Sequence, residues 1–298
     1  MHVAVFGGSG FVGTFVCRAL VGCGCVVSSV SRSGDEASLG SSMRRLDGEW
    51  TSQVQWLKGD AATDPAAALA DDVDAVVSCI GSPGAQLLYA DANGWASGWT
   101  WSQRSECQYA DNFLPNARLA AAAKAAGAQR FVYVGVSSEA EWGFGGPNPG
   151  LYTGKRSAAL AALEEFGSQQ FTYFGPARVV GSKENWRARA ANSRFINGLR
   201  ALVDVIGDWR SFGPDYTTKA RLAPPVLATD LALAIAGVAT GRVEVEESVR
   251  RAGVTTFSQV RERDQYEIAD TMRHVDGTEA IVALAREAQA AMEGAYSA

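Results

Sequence analysis

The chain has 298 residues, 47% of them hydrophobic and 20% charged, and a net charge of −5. That profile suits a globular protein long enough to bury a core, and it excludes a disordered or fibrous chain. An acidic balance with no long basic run excludes nucleic acid as the main partner and an anionic membrane as a docking surface, since both require a basic face.

Residues 3–6 form a short apolar run, and Gly7, Gly8, Ser9 and Gly10 follow it. Val12, Phe15, Val16, Ala19 and Leu20 then fall on one side of a helix predicted over 11–21. Runs at 25–30 and 54–57 read as strands, and 66–70 as a short helix. The run 74–80 is apolar throughout, as in a strand covered on both faces. An alanine-rich helix is predicted over 112–126, with Gly127 as its C-cap. A strand at 130–136, a helix at 151–166 stopped by Gly167, and a strand at 171–180 complete the alternation. Strands and helices in that order predict an α/β fold with a doubly wound parallel sheet. After Gly181 the pattern loosens, although a helix is predicted over 230–239 with Thr229 as N-cap, and an amphipathic one over 278–292. With no internal repeat or linker, residues 1–181 read as a nucleotide-binding core. Residues 182–298 read as a carboxyl-terminal substrate lobe and terminal helix packed on the same domain.

No apolar run reaches the roughly 18 residues a membrane span needs. A strand begins at Val3, with no presequence before it. That leaves a cytoplasmic protein, an organellar one shown without its presequence, or a shortened gene product. The five cysteines are Cys17, Cys23, Cys25, Cys79 and Cys107, and the histidines are His2 and His274 alone. None of them stands at metal-ligand spacing, so no metal is expected. Cys23 and Cys25 form C-x-C rather than C-x-x-C. The thiols read as structural or incidental, in a reducing compartment, with a redox or zinc role as the other reading.

Gly7, Gly10 and Gly13 punctuate the turn from the first strand into the first helix, with Phe11 and Val12 between the last two. A glycine turn there lets backbone approach a pyrophosphate, and the helix start supplies amide donors and positive potential. Gly13 allows close packing of helix on strand. In this context the motif predicts a bound dinucleotide; a tight turn that has lost its ligand is the alternative. An acid at the end of the second strand would pair with the ribose hydroxyls of NAD. The residues there are Ser31, Arg32 and Ser33, and Arg32 suits a 2′-phosphate. NADP(H) is therefore expected ahead of NAD(H). Asp60, after the third strand, would face the adenine or serve a turn. Cys79, Ile80 and Gly81 end the fourth strand, where backbone would pass the cofactor ribose.

The GGSGFVG loop, VSRSG, KGD, VVSCIG, Asn112 and Asn116 ahead of KAAGAQRFVYV, and Gly154-Lys155-Arg156 resemble the atypical short-chain dehydrogenase/reductase superfamily. Within it they are similar to a branch of plastid NAD(P)-binding Rossmann proteins and fungal mitochondrial coenzyme-Q-associated proteins. The Rossmann subunit of respiratory complex I is a more distant cousin. The resemblance covers about residues 1–240. It implies a plastid or mitochondrial location and a tyrosine–lysine pair with a serine nearby. In such a pair the lysine lies beneath the nicotinamide ribose and lowers the tyrosine pKa, and the tyrosine works as general acid or base.

Lys155 matches the lysine, but the family spacing Y-x-x-x-K places the tyrosine at Leu151. Tyr152 stands one residue late, so it would point elsewhere unless the helix starts later or is distorted. Ser137 and Ser138 lie near the serine position. Asn112 and Asn116 are read as support for the active-site backbone. The nucleotide site thus reads as intact and the acid–base site as incomplete.

Trp95, Trp99 and Trp101 crowd a Gly/Ser-rich stretch at 91–103 that reads as an insertion. It would cap an apolar substrate, dock a protein complex through the Trp95–Trp101 segment, or pack on the second lobe. Arg187, Arg189, Arg194 and Arg200 would pair with an anionic substrate or form a solvated helix face. Two functions follow. One is an oxidoreductase acting on a small or lipophilic carbonyl or quinone-type compound. The other is a subunit that holds NADPH structurally within a larger organellar complex.

Overall fold

Along β1 (His2–Phe6), Val3 and Val5 point into one apolar cluster while Ala4 and Phe6 point into another. This alternation of a fully buried strand sets the two helical layers of the fold. The computed structural model describes residues 1–34, 48–81, 101–137, 149–181, 224–245 and 272–296. Within them the order is β1, α1 (Phe11–Gly22), β2 (Val26–Ser31), a 3-10 turn (Gly48–Gln53), β3 (Val54–Lys58), a 3-10 turn (Ala66–Ala68) and β4 (Ala75–Ser78). Then come α2 (Trp101–Ala125), β5 (Arg130–Val134), α3 (Pro149–Gln170), β6 (Phe171–Gly175) and β7 (Arg178–Val180). β8 (Pro225–Leu227), α4 (Ala228–Ala239), β9 (Arg273–Asp276) and α5 (Gly277–Tyr296) follow.

Among the described residues the main sheet has seven strands, ordered β3-β2-β1-β4-β5-β6-β9 and parallel at every pairing. The chain runs outward from β1 to β3, then returns to lay β4 on the other side of β1. That reversal opens a crevice at the carboxyl ends of β1 and β4, where ligands sit in such sheets. α1, α4 and α5 cover one face, through Val16, Leu20, Leu231, Ile235, Ile281 and Leu284. α2 and α3 cover the other, through Leu119, Ala123, Ala158, Ala162 and Phe166. This is the doubly wound α/β sheet the alternation predicts.

The predicted strand at 171–180 is two strands: β6 joins the main sheet, and β7 pairs with β8. Pro225 opens β8. β8 runs straight into α4, so extended Leu227 is the N-cap and Thr229 lies inside the helix. α2 starts at Trp101, eleven residues before Asn112, so the insertion read at 91–103 ends within a helix; its residues 91–100 lie outside the described residues. β9 and α5 come from beyond Gly181, in the stretch read as a lobe, yet β9 completes the core sheet against β6.

β9 carries His274 to the edge of Tyr173, with ring centroids 4.9 Å apart, and Asp276 Oδ1 stands 3.6 Å from its Nε2. Burial pushes His274 below the ordinary histidine value, opposed by Asp276. The folded ring therefore takes up its proton at lower pH than the unfolded chain does. Its contribution to stability is full above about pH 6.5 and declines as the pH falls below that value. Melting of the wild type and of His274→Gln at pH 7.0 and 5.5 checks this: the wild type loses more of its midpoint on acidification than the variant.

At the amino-terminal edge of the sheet, His2 Nε2 meets Ser28 Oγ at 2.8 Å and His2 Nδ1 meets Asp72 Oδ1 at 3.0 Å. The string resembles a hydrolytic triad in outline only. Ser28 is 3% exposed and its hydroxyl donates to Gln55 Oε1, so the three residues tie β1 to β2 and β3.

Candidate functional site

The glycine loop is built by contacts that leave no room for side chains. Gly7 adopts φ +79, its N–H donates to Val30 O (2.8 Å), and its own carbonyl accepts from Gly10 N–H (2.9 Å). A Cβ on Gly13 would lie 2.2 Å from Gly7 O, and one on Gly8 would lie 2.2 Å from Ser29 Oγ. Thr14 clasps the turn through its hydroxyl, donating to Gly10 O (2.7 Å) and Gly8 O (3.2 Å).

Gly10 is the N-cap of α1 and offers no side-chain acceptor, and the first turn carries no acid. The helix start therefore keeps its amide donors and its positive potential for an anion. Phe11, 47% exposed, and half-buried Val12 stand at this start. The fit of a pyrophosphate to the predicted residues thus rests on a cradle that any Cβ would fill.

At the end of β2, Ser31 Oγ accepts from Gly34 N–H (3.1 Å) and sits 3.2 Å from Ser33 Oγ. This turn leaves Arg32 and Ser33 exposed at the carboxyl edge. Sequence reasoning passed over Lys58, which pairs in register with Ser31 and adds an exposed cation at the same edge. The Asp60 carboxylate accepts from Ala62 N–H (2.9 Å), so one of its oxygens holds the turn after β3.

Across the crevice, a Cβ on Gly7 would sit 3.0 Å from Cys79 O, which brings the end of β4 against the glycine loop. Burial pushes the Cys79 thiol far up, so the residue offers backbone rather than a thiolate.

Lys155 is placed by helix packing. Gly150 and Gly154 of α3 face Ser105 and Tyr109 of α2; a Cβ on either would strike backbone, at 1.8 and 2.7 Å from the carbonyl oxygens. Ala158 and Ala162 continue the small face, so the two helices lie close along it. The close approach buries Lys155 to 7% exposure. Its Nζ sits 5.7 Å from the centre of the Tyr133 ring and would be 2.8 Å from a Cβ on Gly81. Burial lowers its pKa from 10.5 to about 8, partly offset by neighbouring Cys79. A buried ammonium with no carboxylate partner among the described residues is poised to donate to hydroxyls at the crevice.

Asn112 Oδ1 faces the same Gly81 position. The Asn112 and Asn116 amides donate to Gln108 O and Asn112 O, both at 2.8 Å, and Ser78 Oγ donates to Asn116 Oδ1 at 2.5 Å. The ladder ties α2 to the end of β4, the backbone-supporting role expected of the two asparagines.

α3 begins at Pro149 and is helical through Tyr152, so the helix neither starts late nor distorts there. Tyr152 is half-buried and stands three residues before Lys155, a spacing that makes neighbours on a helix surface. Ser137 is fully buried, with its N–H on Pro176 O (3.0 Å), while Ser138 lies outside the described residues. So do Trp95, Trp99 and the arginines at 187, 189, 194 and 200. Tyr133 was missed: it is fully buried, its hydroxyl has no hydrogen-bond partner among the described residues, and burial raises its pKa. It cannot reach a substrate and serves Lys155 as an aromatic platform. Alternation in RFVYV, which puts Tyr133 on the face of Phe131, is the signal that would have found it.

The model of the NAD-dependent epimerase/dehydratase family matches residues 3–156. An uncharacterized chloroplastic protein of Arabidopsis thaliana is 27% identical over 273 residues, covering 88% of this chain and 76% of its own. The structure of UDP-glucuronic acid 4-epimerase from Bacillus cereus in complex with NAD superposes with a TM-score of 0.50 at 14% identity, covering 98% of this chain and 99% of that one. Among the described residues, no helix is long and apolar enough to cross a membrane.

Proposed function

Since this chain belongs to the NAD-dependent epimerase/dehydratase family, we propose that it is an NADP(H)-dependent oxidoreductase for a small or lipophilic carbonyl or quinone-type compound. The observation that carries the reading is the buried Lys155 ammonium, held at the crevice where the glycine loop meets the end of β4 with no carboxylate partner among the described residues. Gly7, Gly10, Phe11, Val12 and Gly13 take the pyrophosphate on backbone amides. Ser31, Arg32 and Ser33 take a 2′-phosphate, Asp60 the adenine side, and Cys79, Ile80 and Gly81 pass the ribose as backbone. Lys155 donates to ribose hydroxyls. A nicotinamide dinucleotide bound there supplies hydride exchange. Tyr152 Oη moves the proton at the substrate oxygen, with the Lys155 charge favouring its phenolate. Ser137, as fully buried as Tyr133, backs the end of β5 through its N–H on Pro176 O and leaves the substrate oxygen to Tyr152.

Support for NADP(H) over NAD(H) is the exposed Arg32 and the lack of an acid among Ser31, Arg32 and Ser33. A charge-assisted pair is worth roughly 1.5–3 kcal/mol, so Arg32→Ala lowers NADPH affinity by about ten- to a hundredfold. NADH affinity stays within about twofold, since the lost partner is the 2′-phosphate. Paired titrations of both cofactors check this, and equal losses for both would refute the assignment.

A specific observation favours a second reading. Ser137 is buried at 0% exposure. A protein that holds the dinucleotide without turnover, within a plastid complex, fits that burial. Activity against a carbonyl and quinone panel that disappears in Tyr152→Phe supports the enzyme. Tight NADPH binding without hydride exchange on any of the panel supports the holder. The chloroplastic relative supports a plastid location for either.

A further inference from the structure

At the sheet edge opposite the glycine loop, the chain passes from α1 to β2 through Cys23, Gly24 and Cys25. Cys23 is the C-cap of α1, and Gly24 turns the chain with φ +75. The Cys23 thiol donates to the Met292 thioether of α5 across 3.0 Å. Cys25 and Met292 pack against the same apolar cluster that includes Cys23. Burial raises the pKa of both thiols, and the Arg242 guanidinium, which also donates to Cys23 O (2.9 Å), opposes this in each. None of these thiols is in a disulfide.

We propose that Cys23, Cys25 and Met292 form a binding site for a soft monovalent metal ion, copper(I) or its analogue silver(I). Thiolate and thioether sulfurs select soft ions, whereas divalent zinc prefers four nitrogen and sulfur donors. No group of three His, Cys, Asp or Glu stands close enough to hold a metal among the described residues. The thioether as third donor therefore points away from zinc. Metal uptake replaces the two thiol protons, which leave to solvent, and changes no oxidation state. The resulting bis-thiolate is anionic, and Arg242 offsets its charge. Met292 is unbranched and flexible, so its sulfur can open from the 3.0 Å contact to admit the ion. Cys23 is 6% exposed while Cys25 and Met292 are half-buried, so the ion enters from the Cys25 side.

The test titrates the full-length, reduced protein with copper(I), without oxygen, against a chromophoric copper(I) chelator. One equivalent is withheld from the chelator. Cys25→Ser weakens retention by at least about a hundredfold and Met292→Leu by about tenfold, because each removes one soft donor. Met292→Leu keeps the packing volume, so it reads the sulfur rather than the fold. Cys107→Ser, away from the site, leaves retention unchanged. Zinc(II) alone is not held. Copper(I) retained equally by wild type, Cys25→Ser and Met292→Leu would mean adventitious thiol binding and would overturn the proposal, as would zinc(II) bound as tightly as copper(I).

Discussion

Lys155→Met yields a protein that is more stable than the wild type at pH 7 and no longer binds a dinucleotide. The ammonium is 7% exposed and has no carboxylate partner among the described residues, so the fold bears the cost of burying its charge. The sign follows from protons bound. The folded pKa is about 8 against 10.5 in the unfolded chain, so between those values the unfolded chain binds more protons. Stability therefore rises with pH from 8 towards 10.5, and below 8 the full cost stands. That gap corresponds to roughly 3 kcal/mol, which methionine, neutral and flexible, recovers in part. Urea denaturation of both proteins at pH 7 and pH 10 reads the difference. The variant is more stable by about 1–3 kcal/mol at pH 7 and the gap narrows at pH 10. A less stable variant at pH 7 would mean that the amine is a structural tie rather than a group held ready for a ligand.

Gly13→Ala abolishes cofactor binding and destabilises the fold. The added Cβ would lie 2.2 Å from Gly7 O and 2.7 Å from Gly8 Cα, both backbone atoms that cannot rotate away. Either α1 lifts from β1 or the loop opens, and both spoil the cradle. Overpacking of this kind costs about 1–3 kcal/mol, and dinucleotide affinity falls by at least about a hundredfold as the amides lose their aim. Gly294→Ala is the matching control. It lies within α5 with nothing within 4 Å of its Cβ position, so it stabilises by about 0.5–1 kcal/mol through helix propensity and leaves binding unchanged. Wild-type binding in Gly13→Ala would remove the glycine loop from the site.

The alternation of strands and helices was readable because β1, β4 and β5 are continuous apolar runs, as strands buried on both faces must be. β9 was not, because an edge strand of sequence Arg-His-Val-Asp buries only Val275 fully and carries no apolar run. The early start of α2 was hidden for a related reason. Its first turns are polar, and they are positioned against α3, where Gly150 and Gly154 admit the Ser105 and Tyr109 backbone. Thr229 misled as an N-cap because β8 enters α4 without a loop, and extended Leu227 takes that place. The glycine loop and Arg32 were legible from local spacing. The burial of Lys155 was not, since it depends on two helices approaching closely and on Gly81 leaving the crevice open. Tyr152 stands one residue out of the family spacing on a helix that neither starts late nor distorts there, so the offset read in the sequence persists in the fold.

The most direct test is calorimetric titration of the purified protein with NADPH and, separately, NADH. One equivalent of NADPH binds, and NADH binds at least about tenfold more weakly because it lacks the phosphate that Arg32 would hold. Binding of neither cofactor would contradict the central claim, leaving the glycine cradle and the buried Lys155 as structure without a dinucleotide.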